Sequence, residues 1–120
     1  MTAQELIAEA DVICPNAFEQ TLKLRWLNAL DGRIATEVML MAPAQVAELQ
    51  LGPTDTPLVG PPYDDLYVYW LEAKIDEAQG EYDKYAVAAS LFNDAWSGFV
   101  CWFAQTYDPV QGSRDPGEVS

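Results

Sequence analysis

The chain has 120 residues, a one-domain length, and half of them are hydrophobic, enough for a compact core. It carries 19 acidic and 6 basic residues, a net charge of −13, and no histidine. That balance opposes non-specific binding to DNA, RNA or an anionic membrane, the hydrophobicity excludes whole-chain disorder, and the lack of histidine removes the usual general base, the Ser-His-Asp and Cys-His constellations and most zinc sites.

Thr2 with Glu5 has capping-box spacing and predicts a first helix from Ala3 to about Val12, with Leu6, Ile7 and Ala10 on one side. Pro15 stops it. Asn16 with Glu19 predicts a second start, and the next helix runs from Ala17 to about Met41. Leu27, Leu30, Ile34, Val38 and Met41 step by three or four along it, and Phe18, Leu22 and Trp26 form a second line. Gly32, after Asp31, is the expected place of a kink or break.

Between Met41 and Tyr63, Pro43, Pro53, Pro57, Pro61 and Pro62 exclude a continuous helix. This proline-rich stretch, 43–62, is read as an extended arm or a short β-hairpin, with Val46–Leu51 and Thr56–Val59 as the candidate strands. Asp64 or Asp65 caps a third helix to about Gln79, where carboxylates meet the positive end of the helix dipole. Gly80 terminates it. A fourth helix runs from Glu81 to about Thr106, and Asp108-Pro109 ends it. The Gly-, Ser-, Asp- and Pro-rich remainder, 108–120, is expected to be a flexible tail. The whole is therefore an all-α protein, a small bundle of about four helices over residues 1–107, with an arm or hairpin between the second and third.

The fourth helix carries the clearest pattern. Tyr82, Tyr85, Ala89, Phe92, Trp96, Phe99 and Phe103 form a bulky heptad-type seam. Ala88, Leu91, Ala95, Gly98 and Trp102 form a second, mostly small one, which lets another backbone approach closely. Two apolar stripes imply two packing partners. Either both lie within the chain, or one contacts a neighbouring subunit; Ala95, Gly98, Trp102 and Phe103 are the candidate subunit-interface residues.

Chemistry is harder to find. Glu72 and Asp76 lie one turn apart, as acid–base or hard-cation pairs do, but no third ligand accompanies them, and a solvated acidic face is the simpler reading. There is no phosphate-binding glycine loop and no Cys-x-x-Cys. Cys14 and Cys101 read as inert free thiols rather than a disulfide framework. The longest nearly apolar run, Ala95 to Ala104, is about half of the ~20 residues a membrane span needs. No cationic N-terminus leads into an apolar core, so no secretory signal is expected. An enzyme, a metal and a cofactor are not expected.

The run PYDDLYVYWLEAKIDEAQGEYDKYAVAASLFNDAW, Pro62 to Trp96, resembles a stretch recurrent in small proteins encoded beside phage head genes: the head-to-tail connector (adaptor) proteins of long-tailed double-stranded DNA bacteriophages and prophages. RWLNALDGRIATEV, Arg25 to Val38, fits the same pattern, and PYDDLY with Gly80-Glu81-Tyr82 is its most specific part. The resemblance covers about Thr2 to Tyr107; the insert PAQVAELQLGPTDTPLVGPP departs from it. It implies a helical bundle that assembles into a homo-oligomeric ring, usually a dodecamer, beneath the portal protein in the neck of the virion, after synthesis in the host bacterial cytoplasm. The ring extends the DNA channel and docks the tail or a stopper protein. It implies no catalysis and no cofactor.

A wall of carboxylates would repel phosphate and let the duplex slide without being held. Asp64, Asp65, Glu72, Asp76, Glu77, Glu81 and Asp83 are the candidate channel-facing acids, with a solvated outer face as the competing reading. Two readings from other classes are an acidic DNA-mimic inhibitor, with carboxylates spaced like phosphates, and a small helical chaperone or adaptor, dimeric with an apolar groove.

Overall fold

The computed structural model describes residues 1–107; the expected tail, 108–120, lies outside the described residues. The fold is all-α, and no strand occurs among the described residues. Helices α1 (Ala3–Ile13), α2 (Gln20–Arg33), α3 (Pro43–Ala47), α4 (Asp65–Ala78) and α5 (Tyr82–Tyr107) follow one another, and α2 continues into a π-helical turn, Ile34–Val38. No helix among the described residues is long and apolar enough to cross a membrane.

Local chemistry accounts for most of the ends. The Thr2 hydroxyl accepts from the Glu5 N–H at 3.3 Å and the Glu5 carboxylate accepts from the Thr2 N–H at 2.8 Å, the reciprocal box that starts α1. Gly80 has φ +75°, the left-handed conformation that suits a glycine after a helix end, and the chain reverses there from α4 into α5. Asn16 does not cap α2. Glu19 sits at that position without a side-chain cap, while Asn16 donates to Asp11 at 2.8 Å and to the Cys14 carbonyl at 2.9 Å and accepts from the Phe18 N–H at 3.0 Å. Together with a bond accepted from Lys23, these contacts shape the α1–α2 turn instead.

Gly32 does not break α2. The α-helical ladder gives way two residues later, where the Met39 N–H reaches back to the Ile34 carbonyl at 3.0 Å. Leu40 then takes φ 55°, a strained conformation for a leucine, and the Met41 N–H closes the turn on the Ala35 carbonyl at 2.9 Å.

The proline-rich stretch is neither a hairpin nor a projecting arm. Pro43 opens α3, because a missing N–H costs nothing in the first turn of a helix. The rest is a strap across the bundle. Ala3 and Gln4 donate to the carbonyls of Asp55 and Pro53 at 2.9 Å each, and the Leu51 N–H donates to the Asn28 side chain at 2.7 Å. The unpaired donors of one helix start thus find acceptors in the strap.

The antiparallel α4–α5 pair is the main packing unit, and α1 and α2 complete the bundle around α4. Met1 lies near Asp64 and Cys14 near Asp76, so α1 runs parallel to α4. Trp26 lies by Trp70 and Asp31 by Tyr67, so α2 runs antiparallel. Leu6, Ile7, Leu27, Leu30, Ile34, Leu66, Leu71, Ile75 and Phe99 are fully buried between them. With a rise of 1.5 Å per residue, the 26 residues of α5 span about 39 Å and the 14 of α4 about 21 Å, so the second half of α5 runs past the start of α4.

Candidate functional site

The two stripes of α5 have different fates. The bulky stripe faces inward from Phe92 onward. Phe92 meets Trp70 at 5.3 Å and Trp96 at 5.8 Å, and Phe99, 1 % exposed, meets Tyr63 at 6.2 Å and Phe103 at 5.9 Å. Tyr82, at the start of this stripe, lies in solvent. The small stripe turns outward after Ala88. Leu91 is 40 % and Trp102 37 % exposed, Ala95 is half-buried, and Gly98 is exposed.

A β-carbon built on Gly98 has no neighbour within 4 Å. Leu91, Asp94, Ala95 and Gly98 form one wall of a shallow groove of about 370 Å³, with Pro62, Tyr63, Asp65 and Tyr69 opposite. Trp102 ends the stripe with its ring 5.1 Å from that of Tyr63. Of the interface candidates, then, Ala95, Gly98 and Trp102 share one face, and Phe103 belongs to the inward stripe.

The acids named from the sequence do not share a surface. Asp64 and Asp65 stand at the start of α4, Asp64 facing the terminal ammonium at 3.9 Å. Glu77 lines a second concavity with Arg33 and Lys74. Glu72, Asp76, Glu81 and Asp83 come together at the other end of α4, around a concavity of about 490 Å³ whose remaining walls include Ile13, Cys14, Lys84, Val87 and Ala88.

Asp76 is 4 % exposed and its Oδ1 accepts from the Cys14 thiol at 3.7 Å, so what little surface it has belongs to this concavity and not to an open outer face. Burial pushes its carboxyl above the ordinary range, and burial together with the charge of Asp76 does the same to Glu72. The Cys14 thiol is pushed up to about 11 by burial and by the same two carboxylates, which keeps it protonated and unreactive. Lys84, on the rim, pairs with Glu81 at 2.7 Å.

Two buried polar groups escaped the sequence reading. Asp31, inside α2, accepts from the Tyr67 hydroxyl at 2.5 Å and from the Leu58 N–H at 3.1 Å, while the same hydroxyl accepts from the Val59 N–H at 2.9 Å. This latch fastens the strap to α2 and α4. Burial raises the pKa of both side chains, against the lowering effect of these bonds on Asp31. Lys23, also buried, donates to both oxygens of Asp11 at 2.8 Å and to Asn16 at 3.2 Å. The one available signal was an ionic residue at a position where the apolar lines of α2 face inward.

Asp31, Glu72 and Asp76 all hold their protons more tightly folded than unfolded, so stability falls as pH rises from the ordinary carboxylate values near 4 through their raised ones. The lowered pKa of the exposed Glu5 acts the other way. The self-repulsion of a net −13 reinforces the loss. A further loss begins near pH 9, where the thiol and phenol of the unfolded chain ionise before Cys14 and Tyr67 do in the folded one. Thermal unfolding is expected to give a higher Tm at pH 5 than at pH 8, and a lower one again at pH 10; a Tm that is flat or rises from pH 5 to 8 contradicts the assignment. No protein-family model matches the chain, and comparison with curated proteins and with solved structures finds no match.

Proposed function

We infer that the chain is a structural, non-catalytic protein: a head-to-tail connector that forms a ring beneath a phage portal, extends the DNA channel and docks the tail or a stopper. The observation that carries this reading is the outward stripe of α5, small at Ala95 and Gly98 and closed by an aromatic at Trp102, on a helix that overhangs its partner α4. A neighbouring copy seated on that stripe would cover it, and contacts of this head-to-tail kind form a ring where the rotation between successive copies closes. The resemblance of Pro62 to Trp96 to connector proteins supports the same reading.

Gly98→Trp tests it. The site has open space, and removing a mid-helix glycine favours the helix by up to about 1 kcal/mol, so the fold is expected to survive. The bulky ring is expected to keep copies apart and to abolish assembly on portal-bearing, DNA-filled heads, measured by sedimentation of head-bound protein. A variant that assembles at the wild-type level removes this face from the interface.

Of the candidate channel acids, Asp65, Glu77 and Asp83 are exposed. Asp65→Lys combined with Glu77→Lys is expected to slow DNA exit from assembled particles several-fold, and more so at low salt, where phosphate attraction is strongest. Exit at the wild-type rate assigns these two acids to the outer surface.

A further inference from the structure

The concavity among α1, α4 and α5 has an unusual composition. Its walls are apolar at Ile13, Val87 and Ala88, and both Ile13 and Val87 lie open to solvent. Its charged groups are the carboxylates of Glu72, Asp76, Glu81 and Asp83 against the single ammonium of Lys84, which Glu81 already engages at 2.7 Å. Asp76 lies more than nine-tenths buried, yet its only donor is a thiol 3.7 Å from Oδ1, and Oδ2 has none among the described residues. Glu72 has no hydrogen bond or ion pair there either. A buried carboxylate without a strong donor is an unfavourable arrangement that an incoming cation relieves.

We propose that this concavity receives a lysine or arginine side chain of a basic partner protein, its aliphatic stem between Ile13 and Val87 and its charged head on Glu72 and Asp76. Long basic side chains have this amphipathic character, apolar along the stem and charged at the tip. A metal ion fits less well, because no group of three or more His, Cys, Asp or Glu side chains among the described residues is placed to hold one.

A second copy fits less well too. Among the described residues Lys23 and Arg33 are engaged with carboxylates and Lys74 lies over the Trp70 ring, so Arg25 is the only cation outside the concavity with neither kind of partner. Charge complementarity therefore favours a foreign, basic chain, and this holds whether or not the protein forms a ring.

The test is a nuclear magnetic resonance titration of the isotopically labelled protein with N-acetyl-Leu-Arg-Leu-amide and with the same peptide carrying norleucine in place of arginine. The arginine peptide is expected to shift the amide signals of Cys14, Asp76 and Val87 saturably, and the norleucine peptide to bind at least about tenfold more weakly, as the loss of a charge-assisted bond predicts. Glu72→Gln and Asp76→Asn are each expected to weaken the arginine peptide by a similar factor; Glu72 is partly exposed, so its variant is expected to fold even if the other does not. Equal binding of the two peptides, no localised shifts, or an unaffected Glu72→Gln overturns the proposal. So does saturation of the same signals by magnesium chloride alone, or self-association of the protein that Arg25→Gln abolishes.

Discussion

Replacing Phe99 with alanine is expected to destabilise the protein by about 4 kcal/mol, within the range for a fully buried phenylalanine, and to lower Tm by roughly 20 °C. The ring is 1 % exposed and lies among Tyr63, Trp102 and Phe103, with centroids 5.9–6.3 Å away. It sits where α5 has run past the start of α4 and leans instead on the end of the strap. Removing it leaves a cavity between them that the helix cannot close, because α5 is continuous through this point. Urea unfolding measures the effect; a loss below about 1 kcal/mol would mean that the site collapses freely and that the overhang is not anchored there. The same substitution loosens the seat of Trp102, so the ring assembly proposed above is expected to suffer even under conditions where the fold survives.

Tyr67→Phe removes a single oxygen and is expected to cost about 3 kcal/mol, because it strands two buried groups at once. The Val59 N–H loses its acceptor, and the Asp31 carboxylate loses the hydroxyl donor while keeping the Leu58 N–H. The pH dependence separates this account from simple loss of packing. The hydroxyl holds the Asp31 pKa down against burial, so without it the pKa climbs further. The variant is then expected to lose more stability at pH 8, where the carboxyl must ionise, than at pH 5. Asp31→Asn removes the buried charge and keeps an acceptor for the Leu58 N–H; it is expected to cost less than Tyr67→Phe at pH 8 and to flatten the dependence. An equal loss for Tyr67→Phe at both pH values contradicts a charged Asp31 in the latch.

The helices were legible because their signals are local. The Thr2–Glu5 box, the glycine at 80 and the heptad spacing of α5 each act within a few residues, and the observed ends lie within a residue or two of those expected at α1, α4 and α5. The strap was not legible. Its partners are Asn28, Asp31, Tyr67 and the first turn of α1, and nothing in a run of prolines says that distant acceptors and donors will hold it flat.

Asp31 fell to the same difficulty. Beside Gly32 it looks like a place for a kink, and only the tertiary fold places Tyr67 and the Leu58 N–H over it. The acids of α4 illustrate the limit in another way. Composition counts them as one acidic helix, whereas the helical turn sends Asp76 inward, Glu77 outward and Asp65 to the opposite end. Two stripes on α5 were evident from spacing alone, but which one faces inward depends on where α4 lies.

The most direct test of the proposed connector reading is electron cryomicroscopy of the protein mixed with the portal protein of the same genome, which that reading requires. The expected result is a closed ring of copies related by rotation about the portal axis, with Ala95 and Gly98 of each copy buried under the next. A bound complex in which those two residues stay in solvent, or a protein that shows no affinity for the portal, contradicts it.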